Sequence, residues 1–463
     1  MKRINIFLFT LMIACSSCRK DPTITDPSAK LEFSTDTVLF DTVFTTIGST
    51  TQWLLVHNPH NRKIIISEII LAGGQNSRFR VNVDGTPGTS FKNVEIQPKD
   101  SIFVFVEVTV DPNNSGAPLV ITDSLMFLTN GNPQNVKLVA WGQDAFFYNY
   151  AIACDYILAK TKPHVIYNLL LVDSGCTLFI EAGTTVYMHN NAMLIVLKGG
   201  TLKVNGTINE PVVFRGDRLE NFYDDVPGQW QRIWLSAGSK DNEINYAIIK
   251  NGTVGIQADT LGNSTNPTLK IDNTIIQNMT GAGIFAQGSY IRATNCAITD
   301  CGVYLAALTI GGDYEFRHCT FANFWSQETR QTGAIVLNNY YEDINGNKQY
   351  RDLQNAYFGN CIISGSLEDE VELDENTAAM FNYKFDYCLL KTKKEVTDQT
   401  HYTSIVKNED PKFKDAGNYD LQLSAGSFAI DKGDISISAA VPVDIKGVTR
   451  DANPDLGAYE YQQ

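Results

Sequence analysis

The chain has 463 residues, with 37 Lys plus Arg against 51 Asp plus Glu and a formal net charge of −14. Hydrophobic residues make up 43% of the sequence, enough to bury a substantial core, which excludes a disordered polyelectrolyte. The acidic balance offers no basic footprint for phosphate, so we expect no nucleic-acid partner.

Residues 1–18 have a short basic start, an apolar stretch from Ile4 to Ala14, and an end of small residues and cysteines. The apolar stretch, about 11 residues long, is too short to cross a bilayer as a helix and is typical of a secretory signal. Its end resembles a bacterial lipobox, which implies a lipid on Cys15, with Cys18 as the alternative. An ordinary signal peptide with incidental cysteines is the competing interpretation.

Residues 19–30 are polar and contain two prolines, which predicts a tether between a lipid anchor and a folded body. No later stretch has 18 consecutive apolar residues, so the body is expected to be soluble and held by its N-terminus. The partner predicted here is the cell-envelope membrane. The location predicted is the bacterial outer membrane, with the periplasmic and surface sides both open.

Residues 31–145 contain short runs of alternating apolar and polar residues separated by turn residues, which predicts a β-sandwich of about seven strands. The landmarks resemble those of immunoglobulin-like domains of the ASPM/SPD-2/hydin type: Val56 to Pro59, the turn from Ile96 to Ser101, Asp111-Pro112 and a closing Gly142. The resemblance implies a spacer or a binding module.

Residues 150–463 repeat a unit of strand, turn and strand. The clearest units begin at Asn245, Asn273, Asn295, His318 and Asn360, with a degenerate sixth at Tyr387, and their spacings are 28, 22, 23, 42 and 27. A period of this length predicts a parallel β-helix, in which each coil buries its apolar side against its neighbours.

Within these units, the second position predicts a stacked column inside the solenoid. It holds Tyr246, Thr274, Cys296, Cys319, Cys361 and Cys388. Packed thiols are the simple interpretation of the cysteines, and a metal or redox site is the alternative. The seven cysteines of the body are odd in number and widely spaced, so we expect no disulfide framework. The asparagines in first position predict a second ladder at a turn.

Several segments resemble right-handed parallel β-helix proteins exported by Bacteroidetes, with a pectin lyase-like fold. They are Leu178 to Val186, Gly199 to Thr207, Trp230 to Leu235, and three stretches of the tail, 410–413, 427–433 and 454–460. Gln231 and Phe428 depart from the usual Gly and Pro. The predicted fold class is therefore all-β, an N-terminal immunoglobulin-like β-sandwich followed by a right-handed parallel β-helix with a closing segment.

Two groups of residues are candidates for ligand binding. The loop 217–225 mixes carboxylates, an arginine and aromatic rings, which suits a sugar or Ca²⁺, and its candidates are Asp217, Arg218, Asp224 and Asp225. The long spacing before Asn360 holds an aromatic excursion with Tyr340 and Tyr341, which is either a sugar platform or one extra irregular coil.

The acidic segment Ser366 to Glu375 is interpreted as a solvated face, with hard-cation binding as the alternative. Asp343 to Asn347 is similar to the start of a Ca²⁺ loop but lacks the rest. No residues are assigned to a metal site or to catalysis. No cofactor is expected, with Ca²⁺ left open.

The function expected is a non-catalytic envelope scaffold that binds a polysaccharide or a surface protein. A polysaccharide lyase or glycoside hydrolase is the first alternative, because parallel β-helices present a long groove to linear sugars. A purely structural envelope component is the second alternative.

Overall fold

The computed structural model describes residues 23–44, 49–110, 119–259 and 266–462 of the chain, so that the predicted signal with Cys15 and Cys18 lies outside the described residues. The chain divides into two compact units between Asp144 and Ala145. Helical structure in the described residues is confined to short turns: Gly74–Asn76, Asn221–Tyr223, Ala416–Asn418 and Ile435–Ser438. No helix in that part of the chain is long and apolar enough to span a membrane.

The N-terminal unit is the predicted β-sandwich, built from two five-stranded sheets. The first sandwich sheet consists, in spatial order, of Glu32–Phe33, Gln52–His57, Ser101–Val108, Phe79–Val83 and Thr86–Gly88. The second sandwich sheet consists of Thr37–Phe44, Asn132–Gln143, Leu119–Thr129, Ile64–Leu71 and Ser90–Ile96. Alternate residues such as Leu54, Val104 and Phe127 fill one shared core, as period-2 patterning requires.

The described part of the predicted tether, residues 23–30, runs along this sandwich. Ile24 donates its N–H to the Lys63 carbonyl at 2.8 Å, and the Asn130 amide donates to the carbonyl of Asp26 at 3.2 Å. Ala29 is buried in the sandwich core. Packing on the sandwich therefore begins before the predicted domain boundary at residue 31.

The C-terminal unit is the predicted parallel β-helix, with three long sheets of parallel strands. Sheet A contains Phe146–Tyr148, His164–Ile166, Thr185–Met188, Val212–Gly216, Ala247–Lys250, Ile275–Met279, Ala297–Cys301, Thr320–Asn323, Ile362–Gly365, Leu389–Leu390 and Val406–Lys407. Sheet B contains Ala151–Ala153, Leu169–Val172, Met193–Val196, Arg232–Leu235, Val254–Ala258, Ala282–Gln287, Tyr304–Thr309, Ile335–Asn338 and Val371–Asp374. Sheet C contains Tyr156–Leu158, Thr177–Glu181, Thr201–Asn205, Asn242–Asn245, Leu269–Asp272, Tyr290–Thr294, Gly312–Arg317, Leu353–Gly359, Lys384–Asp386 and Tyr402–Thr403.

Each coil up to Lys384–Asp386 contributes one strand to each sheet in turn, and the final strands belong to sheets A and C only. The inward side chains of all three sheets form a continuous core. Large rings stack from coil to coil within it: the centroids of Phe316 and Phe358 lie 5.1 Å apart, and those of Phe358 and Phe385 lie 4.9 Å apart. The predicted all-β fold class, a sandwich followed by a β-helix, is thus confirmed.

The predicted cysteine column is confirmed. The residues that follow Cys296, Cys319, Cys361 and Cys388 pair in register across sheet A, so the four thiols stack, and all four are fully buried. Each sulfur lies within hydrogen-bond distance of carbonyl oxygens, as Cys296 does with Thr294 at 3.4 Å. Burial raises the pKa of the thiols of Cys296, Cys319 and Cys361, so these three stay protonated. All four thiols are packed in the interior.

The placement of Tyr246 in that column was wrong by one residue. Ile248 pairs with Ile275, which puts Ala247 opposite Thr274 in the interior position. Tyr246 instead has a φ of 46° and occupies the left-handed turn position that Asn273 holds with a φ of 50°. The error arose because the turn position, which takes Asn in three of these six units, holds Tyr here, and an Asn directly precedes it in sequence.

The predicted asparagine ladder is confirmed at this turn for Asn273 and Asn295, and Asn295 donates to the side-chain oxygen of Asn273 at 3.1 Å. Asn245 was misplaced by one residue together with Tyr246: it ends a strand of sheet C just before the turn and accepts from the Asn273 amide at 2.9 Å. His318 and Asn360 continue the column, with their side-chain nitrogens 3.0 Å apart. Asparagine suits these positions because it tolerates positive φ and bonds to the next coil.

A disulfide joins Cys154 and Cys176, although the number and spacing of the body cysteines had argued against a disulfide framework. These residues lie 22 apart in sequence and 4.7 Å apart at Cα, on neighbouring coils. An odd number of cysteines does not prevent one pair from meeting in this way, because adjacent coils bring side chains within disulfide distance.

The long spacing between Cys319 and Cys361 is one ordinary coil with two insertions. Thr320–Asn323 pairs directly with Ile362–Gly365, so the interpretation as an extra coil was wrong. One insertion joins sheet A to sheet B, and the other is a β-hairpin of Tyr340–Glu342 and Lys348–Tyr350 between sheets B and C.

The C-terminal segment, which includes the hairpin Phe413–Asp415 and Asp420–Leu423, covers the outward side of sheet A. Leu423 and Leu456 pack on Ile362 and Leu389, which point outward from that sheet. The Ala458 N–H donates to the Thr320 hydroxyl at 2.9 Å. Sheet A is therefore buried on both sides in these coils.

Candidate functional site

The outward side of sheet B carries two columns of side chains that run along the solenoid. What we call the aromatic column consists of Leu171, Ile195, Trp234, Gln257, Phe285, Ala307, Val336 and Glu372, each in register with the next. What we call the polar column pairs Gln287 with Thr309 and Asn338 with Asp374, and Asp259 continues it past the end of its strand. Strands about 4.8 Å apart space these side chains regularly.

Hydrogen bonds fix the centre of this surface. The indole N–H of Trp234 donates to one oxygen of Asp259 at 2.7 Å, and the Gln257 amide donates to the other at 2.9 Å. The guanidinium of Arg232 donates to the side-chain oxygen of Gln257. Both columns are thus joined across the strand ends, and the ring of Trp234 is held in one orientation.

Two further carboxylates lie where the columns reach the last strand of sheet B. Asp374 accepts from the Asn338 amide at 2.8 Å and from the Tyr340 hydroxyl at 2.9 Å. Glu372 accepts from the Gly333 N–H at 2.5 Å and from the Tyr304 hydroxyl at 3.5 Å. The bond to Asp374 raises the pKa of Tyr340, so this phenol stays a hydrogen-bond donor at neutral pH.

The candidate loop 217–225 lies elsewhere, at the edge where sheet A connects to sheet B, and its charges are paired. Asp217 bonds to the His189 ring at 2.6 Å, and that ring stacks on Tyr167 with a centroid distance of 4.0 Å. Asp224 pairs with the Arg215 guanidinium, also at 2.6 Å. The loop is built onto the solenoid rather than extended into solvent.

The remaining contacts of this loop strengthen that conclusion. The Arg218 guanidinium lies 4.1 Å from the centre of the Tyr223 ring and 3.3 Å from the Glu220 carboxylate. The Asp224 carbonyl accepts from Lys250, whose pKa burial lowers. Asp225 lies close enough to Tyr419 for its charge to act on that phenol.

The two candidate tyrosines do not form one platform. Tyr340 is paired across the hairpin with Tyr350, and Tyr341 pairs with Gln349, so the two neighbouring rings project from opposite sides. Tyr340 joins the sheet B surface through Asp374, while Tyr341 is exposed away from it. The hairpin and the loop 217–225 also border different edges of sheet B, so the structure does not bring the two candidate groups together.

The acidic segment is a solvated face only in part, since Glu368, Asp374 and Glu375 are exposed. Glu370 is completely buried and bonds to both terminal nitrogens of Arg330, at 2.6 and 2.7 Å. Residues Val371–Asp374 form a strand of sheet B. The expectation fails at Glu370, which lies just before this strand, because the Arg330 guanidinium from a distant part of the sequence neutralises its buried charge.

The segment from Asp343 to Asn347 is a hairpin turn. The Asp343 carboxylate accepts from the N–H groups of Asn345 and Asn347 at 2.9 and 3.0 Å and from the Gln349 amide at 3.1 Å. These bonds lower the pKa of Asp343. Among the described residues, no group of three or more His, Cys, Asp and Glu is placed to hold a metal ion.

Sequence reasoning missed the sheet B surface itself. Its members, such as Trp234 and Phe285, sit in short strands whose alternation was visible. The segments that connect sheet A to sheet B differ widely in length, as Gly216 to Arg232 and Met279 to Ala282 do, so no fixed period aligns one strand with the next. Strand pairing supplies the missing register.

No protein-family model matches the sequence, and no curated protein is similar to it at a significant level. Among solved structures, the chain is similar to a family 123 glycoside hydrolase from Clostridium perfringens, at 6% identity and a TM-score of 0.19, over 26% of this chain and 31% of that one. A protein of unknown function from Porphyromonas gingivalis W83 matches at 11% identity and a TM-score of 0.17, over 27% and 60%.

A third structure is the catalytic unit of the GH87 α-1,3-glucanase from Streptomyces thermodiastaticus strain HF3-3, at 9% identity and a TM-score of 0.19, over 76% of this chain and 88% of that one. The match spans less than two thirds of the length of the first two structures. Similarity at this level carries no conclusion about activity.

Proposed function

We propose that this protein is an exported, lipid-anchored envelope scaffold that binds a glycan chain along the outward side of sheet B without cleaving it. The observation that carries the proposal is the pair of in-register columns on that side. Aromatic rings next to fixed amide and carboxylate groups are the combination that holds polyhydroxylated ligands, since rings cover apolar sugar faces and polar groups receive hydroxyls.

The regular spacing of these groups suits a linear polymer. Trp234 and Phe285 belong to one column, two strands apart, with Gln257 between them. A ligand that runs along the solenoid axis would cross one strand of this surface about every 4.8 Å. A protein ligand is the alternative partner, and absence of binding to every glycan tested would favour it over the proposal.

Binding is favoured over cleavage by the state of the carboxylates on this surface. Glycoside hydrolysis requires one carboxyl group free to donate a proton and another free to attack or to activate water. Asp259, Glu372 and Asp374 each accept two hydrogen bonds from neighbouring groups of the protein, which fits a positioning role. A lyase or hydrolase stays the alternative function.

Binding of the purified full-length chain to a glycan array and to soluble polysaccharides tests the proposal. We expect Trp234→Ala and Phe285→Ala each to weaken binding by about tenfold, or about 1.4 kcal/mol. Phe179→Ala, which removes an exposed ring from sheet C, is the matched control and should bind normally. Unchanged binding by both sheet B variants, or release of reducing or unsaturated sugar products, would contradict the proposal.

The lipid anchor is supported by the basic start, the apolar stretch and the cysteines of the first 18 residues. Labelling with a lipid precursor in cells, in Cys15→Ala, Cys18→Ala and the double variant, tests it. Loss of label in one single variant identifies the modified cysteine. Label that survives in the double variant would end this part of the proposal.

A further inference from the structure

The outward side of the first sandwich sheet carries a patch of exposed aromatic rings. Trp53, Phe103 and Phe105 are 51%, 45% and 37% exposed. Trp53 pairs with Phe105 and Leu55 pairs with Phe103 across neighbouring strands, so all four side chains lie on one side of the sheet. The ring centroids of Trp53 and Phe103 lie 5.7 Å apart, and those of Phe103 and Phe105 lie 5.8 Å apart. We call these four residues the aromatic patch, and a contiguous exposed apolar surface of this kind marks an interaction site.

The chain that links the sandwich to the proposed lipid anchor is short. Residues 23–30 already follow the sandwich, where the Lys30 carbonyl bonds to the His60 ring at 3.1 Å. Cys15 and Cys18 precede this stretch by eight and five residues. Because an extended chain spans at most about 3.6 Å per residue, the link reaches at most about 29 Å from Cys15 and about 18 Å from Cys18. A lipid on either cysteine therefore keeps this end of the sandwich, the tether end, close to the bilayer.

The aromatic patch lies near the tether end. The carbonyl of His60 accepts from the Lys99 N–H at 3.1 Å, so the strand Ser101–Val108 starts at this end. Phe103 is the third residue of that strand, about 7 Å from its start at about 3.4 Å per residue. Trp141, the exposed tryptophan of the second sandwich sheet, is the tenth residue of a strand that also starts at the tether end, which places it about 30 Å away. The aromatic patch thus combines apolar surface with a position close to the proposed anchor.

From these observations we infer that the aromatic patch docks on the lipid bilayer, with its rings at the boundary between headgroups and acyl chains. The inference rests on the lipid anchor of the proposed function. Tryptophan suits that boundary because its ring is apolar and its N–H reaches water or headgroups.

The charges near the aromatic patch offset one another. Arg80 is paired across the strands with Glu107, and Lys99 is followed directly by Asp100. Attraction to a surface grows with both buried apolar area and net charge of the opposite sign. Docking should therefore depend on the insertion of apolar rings and change little with salt or with the charge of the lipids.

Fluorescence quenching tests the inference on the lipidated protein, purified from cells and placed in phosphatidylcholine vesicles that contain lipids brominated close to the headgroup. We expect the brominated lipids to quench the natural chain, and Trp53→Phe to lose most of this quenching. Trp141→Phe is the matched control and should keep it. Phe103→Asp retains the reporter Trp53 and should at least halve the quenching, whereas Val120→Asp, at an exposed position of the second sandwich sheet, should not change it.

Sedimentation with the vesicles separates this inference from the anchor itself. A chain that sediments with the vesicles but whose quenching is absent, or is unchanged in Trp53→Phe, would overturn the docking and leave the anchor in place. A chain that does not sediment would overturn both. Equal loss of quenching in Trp141→Phe would overturn the inference, since the second sandwich sheet would then face the bilayer. A dimer of the Cys15→Ala/Cys18→Ala chain in analytical ultracentrifugation that Phe103→Asp dissociates would also overturn it, because a second copy would then cover the aromatic patch.

Discussion

Asp300 is a carboxylate that the fold removes from water, and its ionisation should be visible in stability. Burial raises its pKa above the ordinary 3.8. Between pH 3.8 and the raised pKa of the folded state, the folded chain holds a proton that the unfolded chain has released. The contribution of Asp300 is therefore most favourable at low pH and is lost as pH rises through the folded pKa.

Asp300→Asn removes this titration, and we expect the free energy of unfolding of the variant, relative to the natural chain, to increase from about pH 4 to about pH 7. Urea unfolding at the two pH values measures the difference. Asp272→Asn serves as the control, and its relative free energy should change less. A difference between Asp300→Asn and the natural chain that does not depend on pH would contradict the assignment of a raised pKa.

At the scale of single elements, the ion pair of Arg330 and Glu370 holds two connections together. Their side chains are 1% and 0% exposed. Arg330 also donates to the carbonyls of Thr332 and Asn323, so it ties the insertion after sheet A to the turn that precedes the last strand of sheet B. This turn positions Glu372 and Asp374 at the end of the proposed glycan surface.

Arg330→Ala should lower the free energy of unfolding by about 3–5 kcal/mol, because it leaves the Glu370 charge buried and unpaired. Chemical unfolding measures this cost. Replacing both partners, as in Arg330→Met with Glu370→Leu, should cost clearly less, since no charge is then stranded. The exposed pair of Lys393 and Glu368 gives the matched control, and Lys393→Ala should change stability little, because solvent screens both charges. Equal effects of Arg330→Ala and Lys393→Ala would contradict the argument.

Elements also show what sequence alone can supply. The coils could be predicted because one turn repeats a left-handed residue followed by a small buried one, as in Asn295-Cys296. The pattern failed at Tyr246, where another residue type takes the same conformation. The sandwich could be predicted from the alternation of apolar and polar residues alone. In Ser101–Val108, for example, residues alternate between core and surface.

The candidate sites could not be predicted equally well, because they depend on contacts between coils. The carboxylates of the loop 217–225 were chosen for their density, but His189 and Arg215, which pair with them, come from other parts of the sequence. Likewise, Asp300 lines a small cavity together with Tyr419, which belongs to the C-terminal segment more than 100 residues later, and no local pattern predicts this contact. Local sequence patterns predict the fold of a solenoid, whereas its cavities depend on long-range packing.

At the scale of the whole chain, the C-terminal segment acts as part of the core of the β-helix. Arg450, almost fully buried, donates to the Asn295 side chain and to the Gly457 carbonyl, both at 3.0 Å. The His318 ring bonds to the Ser438 hydroxyl at 2.8 Å. The segment thus forms hydrogen bonds with the turn column of Asn295 and His318. It also contains Tyr419, which lines a small cavity with Asp300.

Deletion of residues 410–463 should therefore destabilise the β-helix, since it exposes the outward side chains Ile362 and Leu389 and removes the hydrogen bonds of His318 to Ser438 and of Asn360 to Asp434. We expect a lower thermal midpoint and binding of an apolar dye at temperatures where the full chain binds none. Shortening the exposed turn 343–347 to Asn-Gly is the control and should change neither property. A deletion variant that melts at the same temperature as the full chain would show that the coils are stable without this cover and would contradict the prediction.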